Sequence, residues 1–548
     1  MRINRKLADK TDALLAKEQG AFFKPYADRI SVCLVYPNTY NIAMSNLGFQ
    51  GIYNLLNQQD DVVCERSFLP AYEDIAEYVR TRTPLYSYES KRPLSDFDII
   101  AFSLSFENDY PNIIKILRLS NIPVRSSDRQ KHYPLIAAGG VAASFNPEPF
   151  APAFDIIFAG EAEESLAEFL DLYSRGMSVP DAKEAALSVQ GIYLPDRYEI
   201  SYSDKKTISA RTALNDAPER IKRRVVKDIN ASSLCTPIVT PMSEFSDMNL
   251  VEAMRGCPWS CRFCLVGHIY NPPRKKDISI LRKEIEAARQ RSKKVGLIGP
   301  SLTDYQHIDE ALAIEGVSFS ITSLRASSRS ADLLKLMRGA RSMSIAPEAG
   351  TERLRNVINK KITEADILET AKLILDSEIK NLRLYFMVGL PTETDEDAEG
   401  IIQLSKKIRT LSNRGNISLT LSTFIPKPFT PFQWYSMERP AVVKSRVRNI
   451  KKRLAKLRGV KVRHDSVRSA MLQAIFSVGD RRVFHLIEAM ADESDFRRAY
   501  ANVIENIGVD MDYYIFRRRA ADEILPWDFM DIGTDKTKLL DEYVEAVG

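Results

Sequence analysis

The chain has 548 residues, 45% of them hydrophobic, and this length exceeds what one hydrophobic core usually supports, so we expect two to four domains. Its 77 basic and 72 acidic residues give a net charge of +5, which by itself is too small to imply a nucleic-acid partner. Six cysteines in so long a chain argue against a disulfide framework. No stretch approaches the roughly 20 apolar residues of a membrane helix, and the N-terminus lacks a secretory signal, so we expect a cytoplasmic protein with no membrane partner.

The first part of the chain alternates predicted strands and helices. After a helical arm over residues 1–28, short β-branched runs end at turns, as buried strands do. These strands are expected within residues 29–37, 62–69, 98–106, 134–144 and 155–173. The alternation predicts a doubly wound parallel sheet over residues 29–190, whose ligands lie beyond the carboxyl ends of the strands.

Small residues and one acid follow the predicted strand ends of this sheet. Ser103 and Ser105 end one strand, Gly139 and Gly140 end the next, and Glu161 follows the last. A glycine pair lets the backbone pass close to a flat or bulky ligand, because no Cβ obstructs the approach. A tight turn without a ligand is the alternative.

The second part of the chain repeats the alternation after a break. Residues 191–245 lose the pattern, which predicts a linker with short strands. Six strand-helix units over residues 246–438 predict a partial (β/α)6 TIM barrel with its site at the strand C-termini. Residues 439–548 are expected to form a helical C-terminal domain. Its first part, residues 439–463, carries eleven Lys or Arg residues and no acid, which predicts either a solvated helix face or contacts to RNA phosphates.

Three of the six cysteines lie in an eight-residue part of the segment MRGCPWSCRFCLVG. Cys257, Cys261 and Cys264 have the spacing C-x-x-x-C-x-x-C, which is too short for ordinary disulfide bridging and lacks the fourth ligand of a closed zinc site. Three thiolates can instead hold three irons of a four-iron cluster and leave one iron open for a substrate.

The cysteine triplet, with Phe263 before its last member and a strand-helix repeat behind it, resembles the cluster loop of radical S-adenosylmethionine (SAM) enzymes. The resemblance implies a 4Fe-4S cluster whose open iron binds SAM, and a reductant such as flavodoxin or ferredoxin. It also implies cleavage of SAM to methionine and a 5′-deoxyadenosyl radical, which abstracts hydrogen from the substrate. His268 is not expected as a fourth ligand, because it would block SAM.

The resemblance further implies that later strand ends bind SAM. Gly299, Pro300 and Ser301 occupy the place of the family's Gly-Gly-Glu turn, to which they are a loose match. Arg325 would pair with the SAM carboxylate through its planar fork, and a surface arginine in a loop is the alternative. The other implied SAM contacts are Ser344, Glu348, Val388, Gly389 and Ile425, of which the last three could equally be strand ends in the core.

The N-terminal sheet resembles the cobalamin-binding module that precedes many radical SAM barrels. Ser103, Ser105, the Gly139-Gly140 pair and the sequence AGEAEES around Glu161 carry this resemblance. The segment PNTYNIAMSNLG, where the module's histidine ligand to cobalt would lie, contains no histidine. Either cobalamin binds without a protein imidazole or the fold has lost the cofactor.

The resemblance as a whole implies a radical SAM enzyme, and cobalamin-dependent methyl transfer to an unactivated carbon is the expected reaction. In that scheme one SAM supplies the radical, and methylcobalamin, remade from a second SAM, supplies the methyl group. One alternative is a cobalamin-independent rearrangement or RNA modification, and another is a non-catalytic iron-sulfur or RNA-binding protein. The substrate, a small molecule or RNA, stays open.

Overall fold

The first half of the chain is organised around a six-stranded sheet. The structure, a computed structural model, describes residues 3–548 apart from 322, 328, 338 and 339. The sheet has the order β2-β1-β3-β4-β5-β6, with every neighbouring pair parallel except β5 and β6. Its strands are β1 (Ile30–Tyr36), β2 (Val62–Phe68), β3 (Ile99–Ser103), β4 (Leu135–Gly139), β5 (Ile156–Phe158) and β6 (Ile192–Tyr193).

Helices cover this sheet, and the predicted doubly wound α/β fold is confirmed. Every residue of β1 and β2 is buried, as two covered faces require. The strand order reverses between β1 and β3, so the carboxyl edge of these two strands is the expected ligand edge. The helices are α1 (Arg5–Leu15), α2 (Tyr40–Ala43), α3 (Leu47–Gln58), α4 (Tyr72–Thr81), α5 (Tyr110–Leu119), α6 (Val141–Phe145), α7 (Ala162–Leu172) and α8 (Val179–Ala186).

The predicted linker contains short strands. A hairpin forms from β7 (Tyr198–Tyr202) and β8 (Ile208–Ala213), and β9 (Ile221–Lys222) follows it. The segment begins with β6, which extends the N-terminal sheet by one antiparallel strand.

Among the described residues, the second half contains seven strands in parallel sheets, one more than the sequence predicts. They form a three-stranded sheet, β10-β13-β14, and a four-stranded sheet, β15-β16-β17-β18, which a parallel bridge between Leu324 and Ile345 connects. The strands are β10 (Met248–Glu252), the short β11 (Met254–Arg255) and β12 (Arg274–Lys275), β13 (Lys294–Ile298), β14 (Ser318–Ile321), β15 (Ser342–Glu348), β16 (Asn381–Val388), β17 (Asn416–Thr423) and β18 (Val460–His464).

The barrel is open. Within the described residues no pairing joins β18 to β10, so β18 is an edge strand bonded to β17 alone. The helices of this part are α9 (Val266–Ile269), α10 (Ile278–Arg289), α11 (Ile308–Leu312), α12 (Ser330–Leu336), α13 (Glu352–Val357), α14 (Glu364–Asp376), α15 (Asp395–Leu411) and α16 (Pro440–Leu454).

The expectation of a wholly helical segment after residue 439 is wrong at β18. Residues 460–464 alternate apolar and basic side chains, and Val460 is buried while Lys461 and Arg463 are exposed. In a strand of five residues with one solvent-exposed face, the alternation of apolar and polar side chains is too short to predict the strand clearly.

The C-terminal helices pack mainly on the N-terminal sheet. Ile100 and Phe102 of β3 share one apolar core with Phe476 and Leu486. The elements are α17 (Val467–Val478), α18 (Phe484–Asp492), α19 (Phe496–Ile507), β19 (Met530–Asp531), which pairs with β9, and α20 (Lys536–Val547). In the part of the chain that the structure describes, no helix is both long and apolar enough to cross a bilayer.

Candidate active site

Two glycines fold the cysteine loop back on itself. The loop links β11 to α9 and carries the free thiols of Cys257, Cys261 and Cys264. Gly256 has φ +80°, and a Cβ there would lie 2.2 Å from the Tyr270 carbonyl oxygen. A Cβ on Gly267 would lie 2.5 Å from the Trp259 carbonyl oxygen. Only glycine permits these close backbone approaches, which fix both ends of the loop.

The donor set of the loop fits a cluster with one open iron. Each cysteine of a four-iron cluster binds a different iron, so its thiolates stand farther apart than the thiolates of a single ion, which lie about 2.3 Å from the metal. Among the described residues, no three His, Cys, Asp or Glu side chains are grouped to hold a metal ion. The Nε2 of His268 lies 3.3 Å from the Cys261 carbonyl oxygen, so this ring nitrogen contacts the loop backbone. Burial lowers the pKa of His268 to about 4.

A half-buried ion pair lies beside the thiols. Burial raises the pKa of all three cysteines, that of Cys261 to about 11, and the positive charge of Lys360 opposes this rise at Cys261 and Cys264. Lys360 pairs with Glu348 at 3.1 Å. Glu348 ends β15 at a register shift and has φ +66°, an uncommon conformation for a residue with a Cβ. The structure therefore places Glu348 at the cysteine loop.

A chain of polar contacts connects the end of β13 to the cysteine loop. Ser301 Oγ and Trp259 Nε1 each donate to Asp304 Oδ2, at 2.6 Å. The Arg325 guanidinium lies 3.6 Å from the Trp259 ring centroid and donates to the Lys360 carbonyl. Ser301 and Arg325 are thus neighbours of the loop, as the sequence predicts. Trp259 and Asp304 were missed, although the position of Trp259 between two cysteines was a usable signal.

Most of the remaining predicted SAM contacts lie at the ends of neighbouring strands, whereas Ser344 lies within β15 and Phe263 lies in the cysteine loop. Gly299 follows β13, where a Cβ would lie 2.5 Å from Met254 Cγ. The Val388 carbonyl accepts from Phe424 N at 3.0 Å, and the Gly389 N–H donates to Glu393 Oε2 at 2.6 Å. The other predicted contacts in this part are Pro300 after β13, buried Ser344 within β15, Ile425 after β17, and Phe263, which packs against an apolar cluster. Their contacts to SAM stay predictions.

A cavity of about 420 Å³ opens at the carboxyl edge of the N-terminal sheet. Its floor is the apolar sheet face with Val32, Ile99 and Ala137, and α3 and α7 wall it. Gly140 has φ +104°, and a Cβ there would lie 2.5 Å from the Leu104 carbonyl oxygen. All five residues predicted for this edge line the cavity: Ser103, Ser105, Gly139, Gly140 and Glu161.

The Glu161 carboxylate is engaged in ion pairs with the barrel. It lies 3.0 Å from Arg255 and 2.6 Å from Arg274, and Arg255 also pairs with Glu163 and Glu252. Although burial opposes ionisation, the hydrogen bonds from Arg274 and the charge of Arg255 hold the pKa of Glu161 below its usual range. Because Arg255 lies two residues before Cys257, these pairs connect the cavity to the cysteine loop.

A second junction, which the sequence does not predict, joins the carboxyl ends of the strands in the N-terminal sheet to those in the barrel. Lys427, after β17, forms an ion pair with buried Glu107, which follows β3, and Gln473 donates to the same carboxylate at 3.0 Å. Nearby Asp109 accepts from Asn38 at 2.8 Å. Burial raises the pKa of Asp109 to about 7 against this hydrogen bond. Asn38 follows β1 and Glu107 follows β3, the two strands between which the strand order reverses. Their position after these strands could have indicated a functional role.

The last helix of the chain contacts the cysteine loop. Arg262, between Cys261 and Cys264, is 6% exposed, pairs with Glu545 at 2.9 Å and donates to the Val357 carbonyl at 3.0 Å. Arg262 therefore ties the loop to α20 and to the end of α13.

Comparison with protein families identifies two parts of the chain. Residues 48–195 match the model of radical SAM proteins, N-terminal, and residues 251–405 match the model of the radical SAM superfamily. An uncharacterized protein of Methanocaldococcus jannaschii is 32% identical over 463 residues, which are 83% of this chain and 89% of that protein.

More distant similarities extend over smaller parts. A tRNA-2-methylthio-N(6)-dimethylallyladenosine synthase of Anaplasma phagocytophilum is 25% identical over 231 residues, 38% of this chain and 49% of the synthase. Among solved structures, the cobalamin-dependent SAM radical enzyme OxsB, with aqua-cobalamin and SAM bound, matches with a TM-score of 0.46 and 18% identity. That match covers 69% of this chain and about half, 52%, of the solved chain.

Replacing Arg262 tests how the cluster loop is held. Arg262→Gln leaves Glu545 unpaired and frees the loop from α20, so the reconstituted cluster should be lost to a chelator about tenfold faster than in the wild type. The decay of cluster absorbance measures this rate. Glu545→Gln, at an exposed side chain, should act in the same direction, and Arg282→Gln on α10 is the matched control. Equal decay rates in all four proteins would contradict the role of Arg262.

Replacing Asp109 tests its raised pKa. Because the folded state binds this proton more tightly, the contribution of Asp109 to wild-type stability should fall as pH rises from about 4 to about 7 and then level off, a difference of up to about 4 kcal/mol. Asp109→Asn should remove that slope, so the variant should gain thermal stability relative to wild type at pH 8 compared with pH 5. Thermal unfolding at both values measures this, with Asp216→Asn in an exposed turn as control. Parallel pH profiles of Asp109→Asn and wild type would show that the carboxyl titrates normally.

Proposed function

Because this chain belongs to the radical SAM superfamily, we propose that it is a cobalamin-dependent enzyme that transfers a methyl group to an unactivated carbon. The observation that carries the proposal is the pairing of two sites, the cysteine loop on the barrel and the apolar cavity on the N-terminal sheet, through Arg255 and Glu161. When bound, the 4Fe-4S cluster supplies the electron that cleaves SAM, and cobalamin supplies the methyl group.

The residues around the loop have defined tasks in this proposal. Cys257, Cys261 and Cys264 would hold three irons, and the charge of Lys360 favours the thiolate forms of Cys261 and Cys264. Arg325 offers a guanidinium beside the loop for the SAM carboxylate. Arg325 would bind the carboxylate while stacked on the Trp259 ring, and this stacking limits the movement of the Arg325 side chain.

The cavity supports cobalamin as the second cofactor. Its volume of about 420 Å³ lies within the range of roughly 300–1,000 Å³ for small-molecule sites, and its walls are mainly apolar. Gly139 and Gly140 line the cavity, although the glycine at position 140 is required by its close approach to the Leu104 carbonyl. None of the chain's five histidines lines the cavity, which is consistent with cobalamin held without a protein imidazole.

The junction of Lys427 with Glu107 supports a shared reaction space. Lys427 lies two residues after Ile425, a predicted SAM contact, and Glu107 lies two residues after Ser105 of the cavity. The ion pair therefore holds the two strand-end edges against each other. Such closure excludes water from a radical reaction.

The products of SAM turnover test the reaction. Reduced, reconstituted protein with cobalamin and substrate-containing cell extract should form both 5′-deoxyadenosine and S-adenosylhomocysteine, because the scheme consumes one SAM for the radical and one for the methyl group. The Cys257→Ala, Cys261→Ala, Cys264→Ala variant should form no 5′-deoxyadenosine. Liquid chromatography with mass spectrometry measures both products. 5′-Deoxyadenosine alone would favour a cobalamin-independent reaction, and neither product from a fully loaded protein would favour a non-catalytic role.

Filling the cavity tests the cobalamin assignment. Ala101→Trp places an indole where the cavity lies, so cobalamin retained after purification from cobalamin-fed cells should fall at least about tenfold, while cluster absorbance is unchanged. Ala520→Trp at an exposed turn is the matched control. Retention equal to wild type in Ala101→Trp would place cobalamin elsewhere, and a colourless wild type would reject it as a cofactor.

A further inference from the structure

The open edge of the barrel carries unpaired positive charge on both sides of β18. On the inner face of the sheet, Arg383, Ser418 and Lys461 occupy one register row across β16, β17 and β18. Thr420 and Arg463 are partners in a row nearer the strand C-termini. Neighbouring strands lie about 4.8 Å apart, so the first row spans roughly 10 Å.

The inner face is exposed to solvent because the apolar side chains of these strands point toward the helices on the outer face. Leu382, Leu384 and Leu419 are buried against the helices, whereas Arg383, Lys461 and Arg463 are exposed. No described carboxylate pairs with these three cations. The concave face at the open edge is therefore polar and cationic.

The outer side of the same edge carries a second set of cations on α16. Lys444, Arg448, Lys451 and Lys452 are spaced four, three and one residues apart, so they share one face of the helix. With Val447 and His464 they line a depression of about 520 Å³.

Nearby acids do not neutralise this face. Glu393, Asp395 and Glu438 pair with Arg446, and Glu399 pairs with Arg453. In the described part of the chain, no ion pair reaches the four cations of the depression. The eleven basic residues of 439–463 thus divide into arginines that hold the helix in place and cations that face solvent.

We propose that this edge is an RNA-binding surface, defined by Arg383, Lys461 and Arg463 inside and by Lys444, Arg448, Lys451 and Lys452 outside. Seven unpaired cations on two sides of one edge match a chain of phosphates better than a single phosphate group, which needs converging donors in an enclosed pocket. The hydroxyls of Ser418 and Thr420, on the same face, offer partners for ribose 2′-hydroxyls.

The position of the surface makes RNA the substrate class. β16 carries Arg383 and ends at Val388, and β17 carries Ser418 and Thr420 and ends two residues before Ile425; Val388 and Ile425 are predicted SAM contacts. An RNA bound along the edge of β18 would reach the reacting end of the barrel through the open side. This assignment of the substrate rests on the proposed function, whereas RNA binding itself does not.

Fluorescence anisotropy with labelled unfractionated tRNA tests the surface, using full-length reconstituted protein at several KCl concentrations. Wild-type log K should fall with log salt with a slope of magnitude about 3 or more, because each phosphate contact to a single strand contributes about 0.7. Lys461→Glu/Arg463→Glu and Lys444→Glu/Lys452→Glu should each weaken binding about tenfold or more and flatten the slope. Arg291→Glu/Lys293→Glu, with the same charge change at exposed positions before β13, should stay within about twofold of wild type.

Two results would overturn the proposal. One is equal affinity of the edge variants and the control variant. The other is equal competition by duplex DNA at the same nucleotide concentration, which would assign the edge to polyanions in general. Formation of 5′-deoxyadenosine in substrate-containing cell extract is measured with every protein. Its absence in wild type that binds tRNA would reject the proposed function and leave the surface, and its presence without tRNA binding would do the reverse.

Discussion

The rest of the structure depends on one constraint: the short cysteine loop offers three thiols to a four-iron cluster and no fourth protein ligand. A loop that leaves an iron open cannot be held rigid by its metal alone, so the protein fixes it from outside. Gly256 and Gly267 fold its ends, Arg262 ties it to α20, and Trp259 stacks under Arg325.

The same external restraint connects the loop to the N-terminal sheet. Arg255 lies two residues before the first cysteine and contacts three carboxylates, among them Glu161 at the cavity edge. Buried ion pairs are costly to break one partner at a time, so this cluster holds the two halves in one arrangement. The pair of Lys427 and Glu107 does the same at the other strand ends. The cysteine loop and the cavity of the N-terminal sheet are thereby held together.

The sequence predicts the framework better than the junctions. β1 and β2 are short β-branched runs buried on both faces, so their sequences predict strands. The spacing of the three cysteines likewise predicts an iron-sulfur cluster. The five residues predicted for the cavity edge line one cavity because parallel strands end together. By contrast, Glu107 and Lys427 are 320 residues apart, and nothing local specifies that they meet. Glu161, predicted as a cofactor contact, lines the cavity, and its carboxylate also pairs with two arginines, contacts that only the packing of the two halves determines.

The most direct measurement of the central claim is the electron paramagnetic resonance spectrum of the reduced, reconstituted protein with and without SAM. If Cys257, Cys261 and Cys264 hold a four-iron cluster whose fourth iron is open, a reduced-cluster signal will be present and its g-values will change when SAM is added. A signal that is identical with and without SAM, or one that persists when the three cysteines are replaced by alanine, would contradict the account.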